Sequence, residues 1–199
     1  MRRSSLIRIS AAGTLLAAFF MLQALWIPAK AALGQALLEH SWQQHQAGNP
    51  GVKPWPWADT SAIALLELPR LNIRQVLLSG ASPRNLAWGP VWFTVNDDSM
   101  NGDVLLSGHR DTHFSFLQEV QTGDEIWLNN GTAQERYQVA EIEIVDSRTA
   151  SLNPVVDGRR LTLVTCYPFD ALQAGGPLRY VVTALPKKSR RETRLPQQN

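Results

Sequence analysis

Twenty-one consecutive residues without a charge, Ile9 to Ala29, lie between Arg8 and Lys30. As an α-helix such a run is about 31 Å long, close to the hydrocarbon thickness of a bilayer. Arg2, Arg3 and Arg8 precede it, so the positive-inside rule keeps the N-terminus in the cytoplasm and carries the rest of the chain across. Trp26 falls near the far end, where an interfacial aromatic belongs. A cleaved signal peptide is the competing reading, because Ala29-Lys30-Ala31 resembles a small-x-small cleavage site. The apolar stretch is long for a signal sequence, which favours a retained anchor over residues 1–30. Either way the remainder is exported.

Beyond Lys30 the pattern stays helix-compatible to Gln46, with Leu33, Ala36, Leu37 and Trp42 along one side, as a juxtamembrane helix. His40 and His45 are five apart, the wrong spacing for a shared metal on one helical face, and read as solvated histidines. Gly48 to Trp57 is dense in Pro, Gly and Trp and reads as a linker, so residues 31–61 form a helix and a strap. Residues 31–186 hold ten Lys or Arg against sixteen Asp or Glu, while the tail 187–199 holds five bases and one acid. The folded part is therefore mildly acidic and does not suit a nucleic-acid binder. The tail is basic and polar, as in a disordered segment.

Residues 62–186 carry short runs of branched side chains separated by turns. Ile63–Leu68 and Ile73–Leu78 flank Pro69-Arg-Leu-Asn72. Ser82 followed by Pro83 marks a short helix start. Further strands are expected over Asp103–His109, Asp124–Leu128, Arg136–Val145, Arg160–Tyr167 and Leu178–Leu185, with Asn129-Asn-Gly131 as a hairpin turn. In Arg136–Val145, strict alternation sets Tyr137, Val139, Glu141, Glu143 and Val145 on one side, opposite Gln138, Ala140, Ile142 and Ile144. About eight short strands with few helices make a mainly β domain, a closed barrel or a sandwich.

The chain has one cysteine, Cys166, so no intramolecular disulfide can support the domain. Pro168 ends its strand, which puts the thiol at a strand exit beside a loop; on that ground alone a buried structural cysteine is the better reading. His109 ends Val104-Leu-Leu-Ser-Gly-His109 after Gly108, a residue that permits close backbone approach or an unusual φ. His and Cys at the exits of two strands can meet, as a thiol nucleophile and its partner must. His113 is the rival histidine, at the start of a short helix. Arg179 interrupts an apolar strand, where it is either a salt-bridge partner or a cation aimed at a developing oxyanion; alternation puts it on one face with Val181 and Thr183.

Thr162-Leu-Val-Thr-Cys166 resembles the sortase signature Thr-Leu-x-Thr-Cys, and Ser107-Gly-His-Arg-Asp-Thr-His-Phe114 resembles the segment that bears the sortase histidine. Arg179, thirteen residues after Cys166, matches the family's arginine position. The likeness runs from about Leu65 to Leu185, and its details are most similar to class D sortases and the related sortases of Gram-negative bacteria. It implies an eight-stranded sortase β-barrel with a few short helices behind an N-terminal transmembrane helix. It implies no cofactor and no metal, and a cysteine transpeptidase (a peptidase-like hydrolase and acyltransferase) in the bacterial inner membrane, its domain outside the cytoplasm. Cys166, His109 and Arg179 would be catalytic. Thr165 could assist through its backbone or hydroxyl, unless it is there for strand propensity. Asp111 could orient the His109 loop, unless it caps the next helix. The partners implied are an exported protein with a C-terminal Leu-Pro-x-Thr-Gly-like sorting motif, cut between Thr and Gly, and an amine acceptor. Two other classes stay open. An L,D-transpeptidase would carry His and Cys in one Ser-His-Gly-Cys-like stretch, whereas these lie 57 residues apart. A non-catalytic, membrane-tethered binding domain would keep the barrel with an inert Cys166.

Overall fold

The branched and leucyl runs pair with one another in a single sheet that has no free edge. The computed structural model describes residues 2–80, 82–93, 102–150, 159–171, 173 and 175–187. Its strands are β1 (Ala62–Leu68), β2 (Ile73–Ser79), β3 (Val91–Phe93), β4 (Val104–Ser107), β5 (Glu125–Asn129), β6 (Gln134–Asp146), β7 (Leu161–Cys166) and β8 (Leu178–Pro186). They close into a barrel in the order β1-β2-β3-β4-β7-β8-β6-β5, so the architecture is the barrel and not the sandwich. Two of the pairings, β2 with β3 and β4 with β7, are parallel; the rest are antiparallel.

Alternation along the strands fills the interior with Leu66, Leu68, Leu77, Leu106, Leu163 and Val182, all fully buried. Strand β3 is absent from the sequence-based expectation, because three residues are too few for a period to be read. The alternation expected along β6 also fails at one point. A bulge between Val139 and Glu141 inserts one residue, so Tyr137 and Val139 face the core with Ile142 instead of Glu141. Ser82 caps the helix α2 (Pro83–Leu86), its hydroxyl accepting from the Asn85 amide at 3.3 Å, with Pro83 in the first turn as expected.

A helix, α1, runs unbroken from Arg2 to Gln46, passing through Pro28. It is long and apolar enough to cross a membrane, and none of its apolar window is buried against the barrel. Only its last turns touch the barrel, and the face they use shares Trp42 with the expected side but is turned away from Leu33 and Ala36. Leu33 is exposed, whereas Gly34, Leu38, Ser41 and Trp42 are buried. Leu38 packs on Leu78 and Val91, and Trp42 on Ala62 and Leu65. Small or polar residues sit in that face for specific reasons. A Cβ on Gly34 would lie 2.3 Å from the Trp88 ring, and Ser41 Oγ accepts from the Ala62 amide at 3.1 Å and donates to Val52 O at 2.6 Å. A hydrophobicity pattern records neither contact. His45, read as solvated, stacks on Trp42 and bonds Asn130 O through Nε2 at 2.9 Å, which ties the helix end to the β5–β6 turn. Gly131, at φ +85°, leaves the room: a Cβ there would lie 2.7 Å from the His45 ring. The expected basic tail beyond Lys187 lies outside the described residues.

Candidate active site

Strand register assembles the site on the outer wall of the barrel. In β7, Leu161 and Leu163 point into the core, which sends Thr162, Val164 and Cys166 outward. Cys166 is the last residue of β7, half-buried, and its antiparallel partner in β8 is Arg179. Directly opposite residues in such a pair share a face, with Cα atoms about 4.5–5.5 Å apart. Val164 and Val181 form the pair below, on the same face.

The parallel neighbour on the other side is β4. Ser107 aligns with Val164, so two residues further along each strand bring His109 level with Cys166. Thr165 fixes that register. Its buried hydroxyl points to the opposite face from Cys166 and donates to Gly108 O at 2.7 Å. Gly108 is required here by close approach and not by an unusual φ, because a Cβ would stand 2.8 Å from Phe114 Cγ. Phe114 in turn donates its amide to His109 O at 2.9 Å, which holds the turn that presents the histidine. His109 itself is exposed.

The rival histidine differs in its exposure. His113 is half-buried, and burial, only partly opposed by its hydrogen bond to the Ala87 backbone, pushes its pKa below the ordinary histidine value. Asp111 is exposed. The 3-10 turn Ser115–Glu119 is capped at Phe114 with no side-chain bond, so the helix-capping role considered for Asp111 is not found.

The loop after Cys166 is clamped twice, by residues that had no role in the sequence reading. The Tyr167–Pro168 peptide is cis. Phe169 packs edge-on against Tyr180 of β8 at 5.1 Å, and Tyr167 stacks on the same ring at 6.2 Å. Arg110, next to His109, donates from Nη2 to Ala171 O at 2.8 Å and to Gln173 O at 2.9 Å. It thereby fastens the cysteine loop to the histidine loop. The only signal for it in the sequence is its place beside His109, which carries no information about the loop it reaches.

Arg179 donates from Nη1 to Gly176 O at 2.6 Å and Leu178 O at 2.9 Å. Both bonds use one nitrogen, so the Nε–Nη2 edge of the fork carries no hydrogen bond among the described residues. One hollow reaches Arg179, and another reaches the residues that follow Cys166 and His109. The first, of about 260 Å³, is lined by Val145, Ser147, Ala150, Val164, Arg179 and Val181. The other, of about 630 Å³, lies between the two clamped loops and includes Arg110, Asp111, Tyr167 and Asp170. Among the described residues no group of three His, Cys, Asp or Glu is placed to hold a metal ion. An exposed imidazole just beyond β4, together with a half-buried thiol paired with a guanidinium across β7 and β8, can support acyl transfer through sulfur.

Comparison with known proteins gives a family match. Residues 66–187 match the family model described as the sortase domain. Sortase D of Bacillus subtilis (strain 168) is 31% identical over 123 residues, 61% of this chain and 62% of that protein. Sortase SrtE1 of Streptomyces coelicolor is 28% identical over 176 residues, 78% of this chain and 50% of that protein. The chain thus spans less than two thirds of the length of these curated relatives. Among solved structures, a Clostridium perfringens sortase D5 transpeptidase superposes with a TM-score of 0.61 at 23% identity, covering 78% of this chain and 99% of that one. Sortase A of Listeria monocytogenes gives a TM-score of 0.56 at 22% identity, covering 64% of this chain and 88% of that one. At these identities the structures bear on the fold alone.

Proposed function

This chain belongs to the sortase family, and from that premise we propose that it is a membrane-anchored cysteine transpeptidase with Cys166 as nucleophile, His109 as general acid and base, and Arg179 as oxyanion partner. The observation that carries the reading is the strand register, which brings the ends of β4 and β7 level and pairs Cys166 with Arg179 across β8.

The Cys166 sulfur attacks the carbonyl carbon between Thr and Gly of a Leu-Pro-x-Thr-Gly-like motif on an exported protein. The carbonyl π bond opens to an oxyanion that the free edge of Arg179 stabilises. The C–N bond then breaks, and the departing amine takes a proton from His109, leaving a thioester. A second amine gives a proton back to His109 and attacks the thioester carbon. The C–S bond breaks and the thiolate returns. The two hollows support separate approaches for the acyl donor and the acceptor. The N-terminal helix supports single-pass anchoring, with the N-terminus cytoplasmic and the barrel on the outer side of the inner membrane.

The test is intact-mass analysis of the protein mixed with a Leu-Pro-x-Thr-Gly peptide library, wild type beside Cys166→Ala. The expected result is an adduct equal to the peptide cut after Thr, absent from the variant. A wild type that forms no adduct and whose Cys166 resists alkylation until unfolded would instead favour a non-catalytic binding domain.

A further inference from the structure

An apolar hollow away from the reactive wall lies where α1 meets the barrel. About 590 Å³ in volume, it is lined by Leu33, Gly34 and Leu37 of α1, by Trp55 and Trp57 of the linker, and by Trp88. Trp57 is 83% exposed and Leu33 60% exposed. The walls are held in place: Trp88 and Trp55 pack at 4.8 Å, Gln35 Nε2 donates to Trp88 O at 2.8 Å, and the absence of a side chain at Gly34 admits the Trp88 ring. Lys30 and Arg84 line it as well, and the one acid among its lining residues is Asp59.

The depth of this hollow follows from the chain itself. If Ile9–Ala29 fills the hydrocarbon layer, a rise of about 1.5 Å per residue puts Lys30 at its outer edge and Leu37 roughly 10 Å beyond it. A headgroup layer is about 5–8 Å thick on each side. The hollow therefore opens within the headgroup region, and its floor stands just above it. Its apolar lining is continuous with the exposed face of α1 that carries Leu22, Leu25, Trp26 and Ile27. Indole rings beside basic side chains are what that depth favours.

We infer that this groove seats an anionic phospholipid of the extracytoplasmic leaflet, its phosphate between Lys30 and Arg84, its headgroup against Trp57 and Leu33, and its acyl chains running back along Trp26 and Leu22. The bound lipid fixes the tilt of the barrel on the bilayer and hence the height at which Cys166 meets exported chains. The inference rests on the membrane-anchored reading. The chain's own tail, with five bases in residues 187–199, is the wrong sign for a groove with a net positive rim.

The experiment uses the full chain with Cys166→Ala, which frees the sequence of cysteine. One environment-sensitive fluorophore is attached at Leu22→Cys, Trp57→Cys or Thr132→Cys, and the chain is reconstituted in phosphatidylglycerol vesicles brominated at the upper acyl carbons. Positions 22 and 57 should be quenched, and 132, on the β5–β6 turn far along α1, should not. Lys30→Gln with Arg84→Gln should cut quenching at 57 at least threefold without altering it at 22. Quenching at 22 with none at 57 overturns the groove and leaves the anchor standing; a blue-shifted but unquenched 57 does the same by giving the groove to a protein segment. Quenching at 57 that ignores the double variant overturns the phosphate clamp. An unquenched 22 removes the anchor and this inference with it.

Discussion

Two stretches of the same barrel's outer wall are treated in opposite ways. On β1 and β2 the outward residues are Leu65, Val76 and Leu78, and the last turns of α1 cover them with Leu38 and Trp42. On β7 and β8 the outward residues are Val164, Cys166, Arg179 and Val181, and the wall is left as a hollow. At the covered wall the contacts are apolar, and the helix end is pinned by Ser41 and His45 bonding to backbone groups. At the open wall such bonds serve the loops: Arg110 and Thr165 hold backbone, while His109 stays exposed and Cys166 half-buried. A barrel has no sheet edges to protect. What remains to be settled is which part of its outside is covered, and the uncovered part carries the reactive groups.

Removing a side chain from each wall should therefore give opposite phenotypes. Trp42→Ala empties a fully buried aromatic site and should cost about 3–5 kcal/mol of stability. Acyl transfer per folded molecule should stay near wild type, read by denaturant melts beside single-turnover assays. Trp42→Phe should cost far less, since the indole Nε1 is buried without a partner. Loss of catalysis in still-folded Trp42→Ala would mean that the two walls are coupled.

Arg179→Ala should do the reverse. Loss of an oxyanion donor lowers kcat by about 100- to 1000-fold, or about 2.7–4 kcal/mol in the barrier. The melting temperature should hold, because the side chain bonds only the carbonyls of Gly176 and Leu178, at the very start of β8. A large fall in stability with a small fall in rate would make Arg179 a structural residue.

The smallest effect concerns His113. Burial lowers the folded-state pKa of His113 below the ordinary value. Its contribution to stability is therefore complete above about pH 6.5 and is lost as pH falls through the folded pKa. Wild type should lose a modest amount of stability below about pH 6.5, and His113→Asn should flatten that part of the profile. An unchanged slope in the variant would assign the proton uptake elsewhere.

How much was legible beforehand depended on whether a residue's role was local. Seven of the eight strands could be read from alternation and branched side chains, because a half-buried strand needs its own residues to alternate. The cap at Ser82 was readable for the same reason. The bulge in β6 was not, since an extra residue is defined only against a partner strand. Of the buried face of α1 only Trp42 was anticipated, because Gly34 and Ser41 are there for Trp88 and Ala62, residues distant in sequence.

The same division runs through the site. The sequence alone determined that Cys166 ends a strand before Pro168, that His109 lies at the exit of another (which stops at Ser107, two residues short of the expected end), and that Arg179 interrupts an apolar one, because strand ends and breakers are written in neighbouring residues. Only the tertiary structure decided that β4 lies parallel to β7 with Ser107 beside Val164, which sets His109 level with Cys166. It alone made Arg110 the clamp between their loops. Register between strands more than fifty residues apart is fixed by how the whole barrel closes, and no local stretch of chain contains that closure.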